Sequence, residues 1–143
     1  MTDEETSLAR LLVALPGYRP RTGMTYYDPD GTAWVVYAVM DGLPIGARLG
    51  DLRARAATSA LPSGSIPWIT DDGTAGILLG MLPPRHQATR DEGVYEVTVY
   101  DCPPLAGAVV HSGPHGTAKW WTVSGDSLGV AVARALVAMG RAA

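Results

Sequence analysis

A chain of 143 residues with a net charge of -3 and a single cysteine is long enough to bury a core without covalent staples. The lone Cys102 excludes an internal disulfide framework and a multi-cysteine zinc site, which fits a reducing, cytoplasmic setting. The acidic balance works against the long-range attraction by which duplex binders collect phosphates, and no apolar run approaches a bilayer span, so nucleic acid and membrane are disfavoured as partners.

The first predicted element is a helix. Thr2-Asp3-Glu4-Glu5 has the form of a capping box, Leu8, Leu11, Leu12 and Leu15 recur at helical spacing, and Pro16-Gly17 ends the run. Tyr18 to Thr22 is a basic connection carrying Arg19 and Arg21. A hairpin follows, Met24 to Tyr27 and Thr32 to Met40, around the turn Asp28-Pro29-Asp30-Gly31. Its second strand places Trp34 and Val36 on one face and reads as central. Over residues 43–57 two readings compete. Asp41-Gly42 signals a hairpin, whereas Ile45, Leu49, Leu52 and Ala56 have helical spacing and Pro44 suits a first helical turn, which favours a helix. Residues 59–67, SALPSGSIP, have the composition of a linker.

A second acidic-capped helix is predicted from Thr70-Asp71-Asp72-Gly73. Its Ala75, Leu78, Leu79 and Leu82 align with Leu8, Leu11, Leu12 and Leu15 at a constant offset, and Pro83 aligns with Pro16, which reads as an internal repeat. Arg85 to Gly93 reads as a polar loop. Val94 to Tyr100 alternates as a strand until Cys102-Pro103-Pro104 breaks it, and Leu105 to His111 reads as a short strand that returns through Ser112-Gly113-Pro114-His115-Gly116 to a strand at Lys119-Trp120-Trp121-Thr122-Val123. Of the two tryptophans, Trp120 is expected on the open face and Trp121 in the core. After Ser124-Gly125-Asp126, Leu128, Val132, Ala135, Leu136 and Met139 form the buried stripe of a closing helix, with Arg134 and Arg141 expected on its water side.

The expected architecture is α+β: two α-β-β-α-like repeats packed as one sandwich, with a mainly antiparallel sheet and about four helices. The first half spans 1–60, a linker 61–69, and the second half 70–143, all within one compact domain. The stretch from TDDGTAGILLGML through the strands to WWTVSGDSLGVAVARALVAM resembles small phage and prophage proteins of the α-β-β-α, or ABA-sandwich, type. That resemblance implies a phage-type accessory protein and carries over no site residues.

Several groups have chemistry to offer. His111 and His115 flank Ser112-Gly113-Pro114, with Lys119 beyond, and suit either an acid-base or anion site or an ordinary hairpin turn. Their spacing matches a helical metal pair, but the segment is not helical, so no metal is assigned and no cofactor is implied. Cys102 is either a nucleophile approached by a histidine or a small buried hydrophobe at a strand end. Arg19, Arg21, Arg48, Arg53, Arg55, Arg85 and Arg90 are fitted to an anion or an acidic surface, or else to a solvated face. The leading expectation is a non-enzymatic accessory protein that binds another protein or itself, with inhibition of a host or defence factor as its biological sense. His111, His115, Lys119, Trp120, Arg19, Arg21 and Arg85 are its candidate contacts. A binder of a small, nucleotide-like anion is the alternative, and a small His-dependent enzyme the third.

Overall fold

The computed structural model describes residues 1–51, 58–105, 108–114 and 119–142. Helix α1 (Asp3–Val13) begins with the reciprocal capping box its sequence predicts. The Glu5 amide donates to the Thr2 hydroxyl at 3.1 Å, and the Thr2 amide donates to the Glu5 carboxylate at 2.9 Å. Its buried face is Leu8, Ala9 and Leu12, whereas Leu11 is 55% exposed, so the helix is rotated from the face that four leucines suggest.

The predicted hairpin forms as β1 (Thr25–Tyr27) and β2 (Ala33–Met40), with Trp34 opposite Tyr26. Trp34 and Val36 of β2 are buried, as their alternation predicts. The reading of 43–57 as a helix is overturned for its first part. Residues Leu43–Arg48 are a strand, β3, paired antiparallel with β2, and only a single 3-10 turn follows at Leu49–Asp51. Residues 52–57 lie outside the described residues. The cause is local: Asp41 and Gly42 have φ of 52° and 77°, which suits the two-residue turn whose twist matches a hairpin. Pro44 is tolerated because it stands opposite Val39, one pair beyond the turn-closing Met40 and Leu43, where its nitrogen points away from β2.

The stretch read as a linker contributes both edges of this sheet, β4 (Ser59–Ala60) and β5 (Ile66–Pro67), giving the order β4-β3-β2-β1-β5. Helix α2 (Asp72–Leu79) follows, capped by the Asp71 carboxylate. Buried Thr74 ties it to the sheet, since its hydroxyl accepts from the Thr25 amide at 2.9 Å and donates to Asp71 at 3.0 Å. The repeat offset aligns Leu11 with Leu78, yet Leu78 is fully buried. The two leading helices therefore share a pattern and not an orientation.

Residues read as a polar loop form a second hairpin, β6 (His86–Asp91) and β7 (Val94–Tyr100), around Glu92 and Gly93 at φ 49° and 81°. As an edge strand β6 buries little, so its polar sequence carries no alternation to read. With β8 (His111–Ser112) and β9 (Lys119–Gly125) it makes a second antiparallel sheet in the order β6-β7-β9-β8; of the stretch Leu105 to His111 expected as a strand, only His111 lies in one among the described residues. The fold is thus α+β with two antiparallel sheets and, among the described residues, three helices, where one sheet and about four helices were expected.

Helix α3 (Leu128–Met139) starts at the Ser127 cap, whose hydroxyl accepts from the Val130 amide, and stops at Gly140 in the left-handed region. It packs against α1, α2, β7 and β9 at once. Ala131 and Ala133 are therefore as buried as the expected stripe of Val132, Ala135 and Leu136. Arg134 does not simply face water: it ion-pairs with Glu4 of α1 and donates to the Ser124 carbonyl oxygen. A single apolar cluster joins Leu12, Met24, Val36, Ile69, Leu78, Val97, Trp121 and Leu136 from all three helices and both sheets.

Backbone proximity limits one position of α3. A Cβ built on Gly129 lies 1.5 Å from the Ile69 carbonyl oxygen, whereas one on Gly76 of α2 meets nothing within 4 Å. Gly129→Ala is expected to destabilise the fold by about 3 kcal/mol through overpacking against rigid backbone. Gly76→Ala is expected to stabilise it by about 0.5–1 kcal/mol by restricting the unfolded chain. Urea unfolding of both variants measures the pair.

Candidate functional site

The outward side of the second sheet gathers three of the candidate residues into one row. Antiparallel register sets His111 opposite Trp120 and Trp120 opposite Tyr100, and the Tyr100 amide donates to the Arg85 carbonyl oxygen at 3.0 Å. Opposed residues share a sheet face, so His111, Trp120, Tyr100 and Arg85 stand side by side across β8, β9, β7 and the residue that leads into β6. Trp121, the next residue along β9, points the other way and is 1% exposed. This confirms the expected division between the two tryptophans and puts the row on the side away from α3.

The row is held by its own contacts. The His111 and Trp120 rings stack with centroids 5.6 Å apart at 28°. The Arg85 guanidinium lies 5.7 Å from the Tyr100 ring centroid and ion-pairs with Asp101. Behind them the Thr98 and Thr122 hydroxyls are 3.0 Å apart. Both aromatic side chains are half-buried while His111 and Arg85 are exposed, so ring faces and polar tips are offered together.

Other candidates fall elsewhere. Lys119 is exposed beside Trp120 but, by strand alternation, points to the opposite face. Arg19 and Arg21 lie in the connection before β1, outside the row. Arg48 sits 5.5 Å over Trp34 in the first sheet and Arg90 sits 5.3 Å over Tyr95, so the arginine set is dispersed over separate rings. His115, Arg53 and Arg55 lie outside the described residues. The Cys102 thiol accepts from Arg141 at 3.3 Å, and its carbonyl oxygen accepts from the Trp121 indole at 2.6 Å, which makes this residue a support for the buried tryptophan. Among the described residues no group of three or more histidine, cysteine or carboxylate side chains is placed to hold a metal. None of their helices is long and apolar enough to cross a membrane.

Two features were not read from the sequence. Tyr100 belongs to the row; its sequence signal is the alternation that puts it with Thr98 and Glu96 on the polar side of β7. The tip of the β2–β3 hairpin is apolar and exposed, with Met40 and Leu43 directly paired and each 60% exposed. Reading residues 43–57 as a helix hid that pair.

A groove of about 660 Å³ lies apart from both, between α1 and the β1–β2 turn, lined by Thr6, Arg10, Tyr27, Asp28 and Ile66 among others. Its wall is organised by Asp28. The Trp34 indole donates to this carboxylate at 3.1 Å, and the Thr32 and Asp30 amides donate at 2.8 and 2.9 Å. These bonds, the indole first, hold the carboxyl below its ordinary range against the opposing effect of burial, with the Arg48 charge adding a smaller push. Apart from the groove lining, at the apolar core, the Tyr18 and Tyr26 hydroxyls are 2.5 Å apart. Burial raises both, Tyr26 to about 12, so the pair is a neutral structural contact at ordinary pH.

Comparison of the chain with protein-family models, with curated proteins and with solved structures found no match.

The Asp28 network has a pH signature. A carboxyl depressed on folding contributes stability that is complete above its unfolded value of about 3.9 and is lost as pH falls through the folded value. Asp28→Asn is expected to lower Tm at pH 7, and the gap from the parent is expected to narrow steadily below about pH 4. Thermal melts across pH 2.5–7 check this; a gap that stays constant in acid contradicts the assignment.

Proposed function

We propose that the protein works by binding a protein partner through the outer face of its second sheet. The observation that carries this reading is the in-register row of His111, Trp120, Tyr100 and Arg85. Tryptophan, tyrosine and arginine are enriched among the residues that dominate interface energetics, because each combines a large contact area with a polar tip, the two aromatics at low entropic cost. The row lies on an open sheet face, and small-ligand sites are concave. A partner with a broad surface suits it better than a small molecule does. The exposed Met40–Leu43 tip supplies a second apolar contact of the kind interfaces use.

In this reading the molecule is an accessory factor of the phage type, and its binding inhibits a host or defence factor. Support for that narrower role comes from the sequence resemblance. Trp120→Ala is expected to weaken partner binding by about 2 kcal/mol, roughly thirtyfold, and Tyr100→Ala to act in the same direction. Neither should cost much stability, since both rings are only half-buried. Capture with the parent and with each variant, quantified by mass spectrometry, tests the proposal. A partner retained equally by the parent and the Trp120→Ala variant, with melting curves matched, would sink it.

A second reading rests on the groove between α1 and the β1–β2 turn, whose volume of about 660 Å³ is within the range of small-molecule sites. Arg10 offers the cation and Tyr27 the ring for a nucleotide-like anion. A nucleotide that raises Tm in the parent and fails to do so in Arg10→Ala would favour this site; a panel without any shift counts against it.

A further inference from the structure

Among the described residues, strand β6 presents a free edge unlike the others. Among the described residues the second sheet ends at β6 on one side and at two-residue β8 on the other, and the first sheet ends at two-residue β4 and β5. By contrast β6 is six residues long, pairs with β7 in unbroken register, and contains no proline or bulge. Short length, proline and bulges are among the devices by which exposed edges are ordinarily blunted, and of the others β6 carries charge, in Arg90 and Asp91.

Register decides which backbone groups face outward. The two-residue turn makes Asp91 and Val94 a hydrogen-bonded pair, and the bond from the Tyr100 amide to the Arg85 carbonyl fixes the same phase at the other end. Arg85, Gln87, Thr89 and Asp91 therefore direct their backbone groups to β7. His86, Ala88 and Arg90 direct theirs away from the sheet.

We infer that β6 pairs antiparallel with β6 of a second copy of this chain about a twofold axis through Ala88, joining two four-stranded sheets into one of eight strands. Three outward residues admit few self-pairings. Centring on Ala88 sets Ala88 against Ala88 of the partner subunit and His86 against Arg90 of the partner subunit, which uses every outward amide and carbonyl; any shifted register leaves some unpaired. The side chains agree with this register. Arg85, which shares its charge with Asp101 of its own chain, falls opposite Asp91 of the partner subunit, opposite charges brought near each other and repeated by symmetry at the far end, and Gln87 falls opposite Thr89 of the partner subunit. The His86 Nδ1 atom donates to the Pro83 carbonyl oxygen, so Nε2 is the ring atom left to meet Arg90 of the partner subunit. This pairing uses the edge of the sheet and does not rest on the reading of its outer face.

Sedimentation velocity of the full chain over low to high micromolar concentrations tests the inference. The expected result is a shift from the 15.0 kDa monomer to twice that mass, with the dimer weakened at least roughly tenfold by Ala88→Pro, whose missing amide is one that β7 does not use. Should that variant misfold by circular dichroism, Asp91→Arg decides, because it sets like charges at both ends and is expected to weaken the dimer by a comparable factor. Register is read by oxidation in a Cys102→Ser background. Ala88→Cys should crosslink, its Cα atoms being about 5.5 Å apart across a hydrogen-bonded pair, and Gln87→Cys, at about 8 Å, should not. A chain that stays monomeric throughout, a dimer indifferent to both Ala88→Pro and Asp91→Arg, or crosslinking at Gln87→Cys as fast as at Ala88→Cys overturns it.

Discussion

Everything in this fold leans on the burial of one helix. α3 contacts the other two helices and the second sheet, and the carbonyl oxygen of Ile69 runs so close to Gly129 that only a hydrogen fits between. Close approach of that kind lets dispersion contacts accumulate on several sides of a helix of small residues. It also explains a composition that is odd for a surface helix: Gly129, Ala131, Ala133 and Ala135 are small because each faces a neighbour. The second sheet is thereby fixed from behind. Val97, Val99 and Trp121 point into the same cluster as α3, and their neighbours along the strands, Thr98, Tyr100 and Trp120, are pushed outward by alternation.

The candidate surface follows from that arrangement. Its four residues are spread over the chain from Arg85 to Trp120, yet a single register brings them into line. A slip of one residue between β7 and β9 would send Trp120 toward the core and Trp121 to water. The row is therefore only as well defined as the core packing that sets the register, and the indole bond from Trp121 to the Cys102 carbonyl is part of what sets it.

How much of this was legible in the sequence depended on how much each element buries. The capped α1, the β1–β2 hairpin, the alternating β7 and the closing helix announced themselves because their apolar residues recur with the period of the structure they adopt. β3 and β6 did not. In β3 the positive-φ pair Asp41-Gly42 is the deciding signal, and the helical spacing of Ile45, Leu49 and Leu52 competes with it. In β6 nothing apolar alternates, because an edge strand has little core to face. The buried alanines of α3 were likewise invisible as a pattern, since a helix enclosed on several sides loses its contrast between faces. For the site, Trp120 was legible from alternation alone and His111 and Arg85 from residue type, but their assembly into one row depends on strand order. Strand order is non-local, and Tyr100, whose significance is purely positional, was missed for that reason.

The adjacent tryptophans give β9 an unusual character. One peptide unit separates a half-buried ring on the outer face from a ring in the core, so the strand is a partition a single residue thick. A load placed on Trp120 is borne by the backbone that also seats Trp121 against the apolar cluster. Trp121 and α3 meet in one apolar cluster directly behind the strand, so the interior itself serves as the backing plate of the outer face.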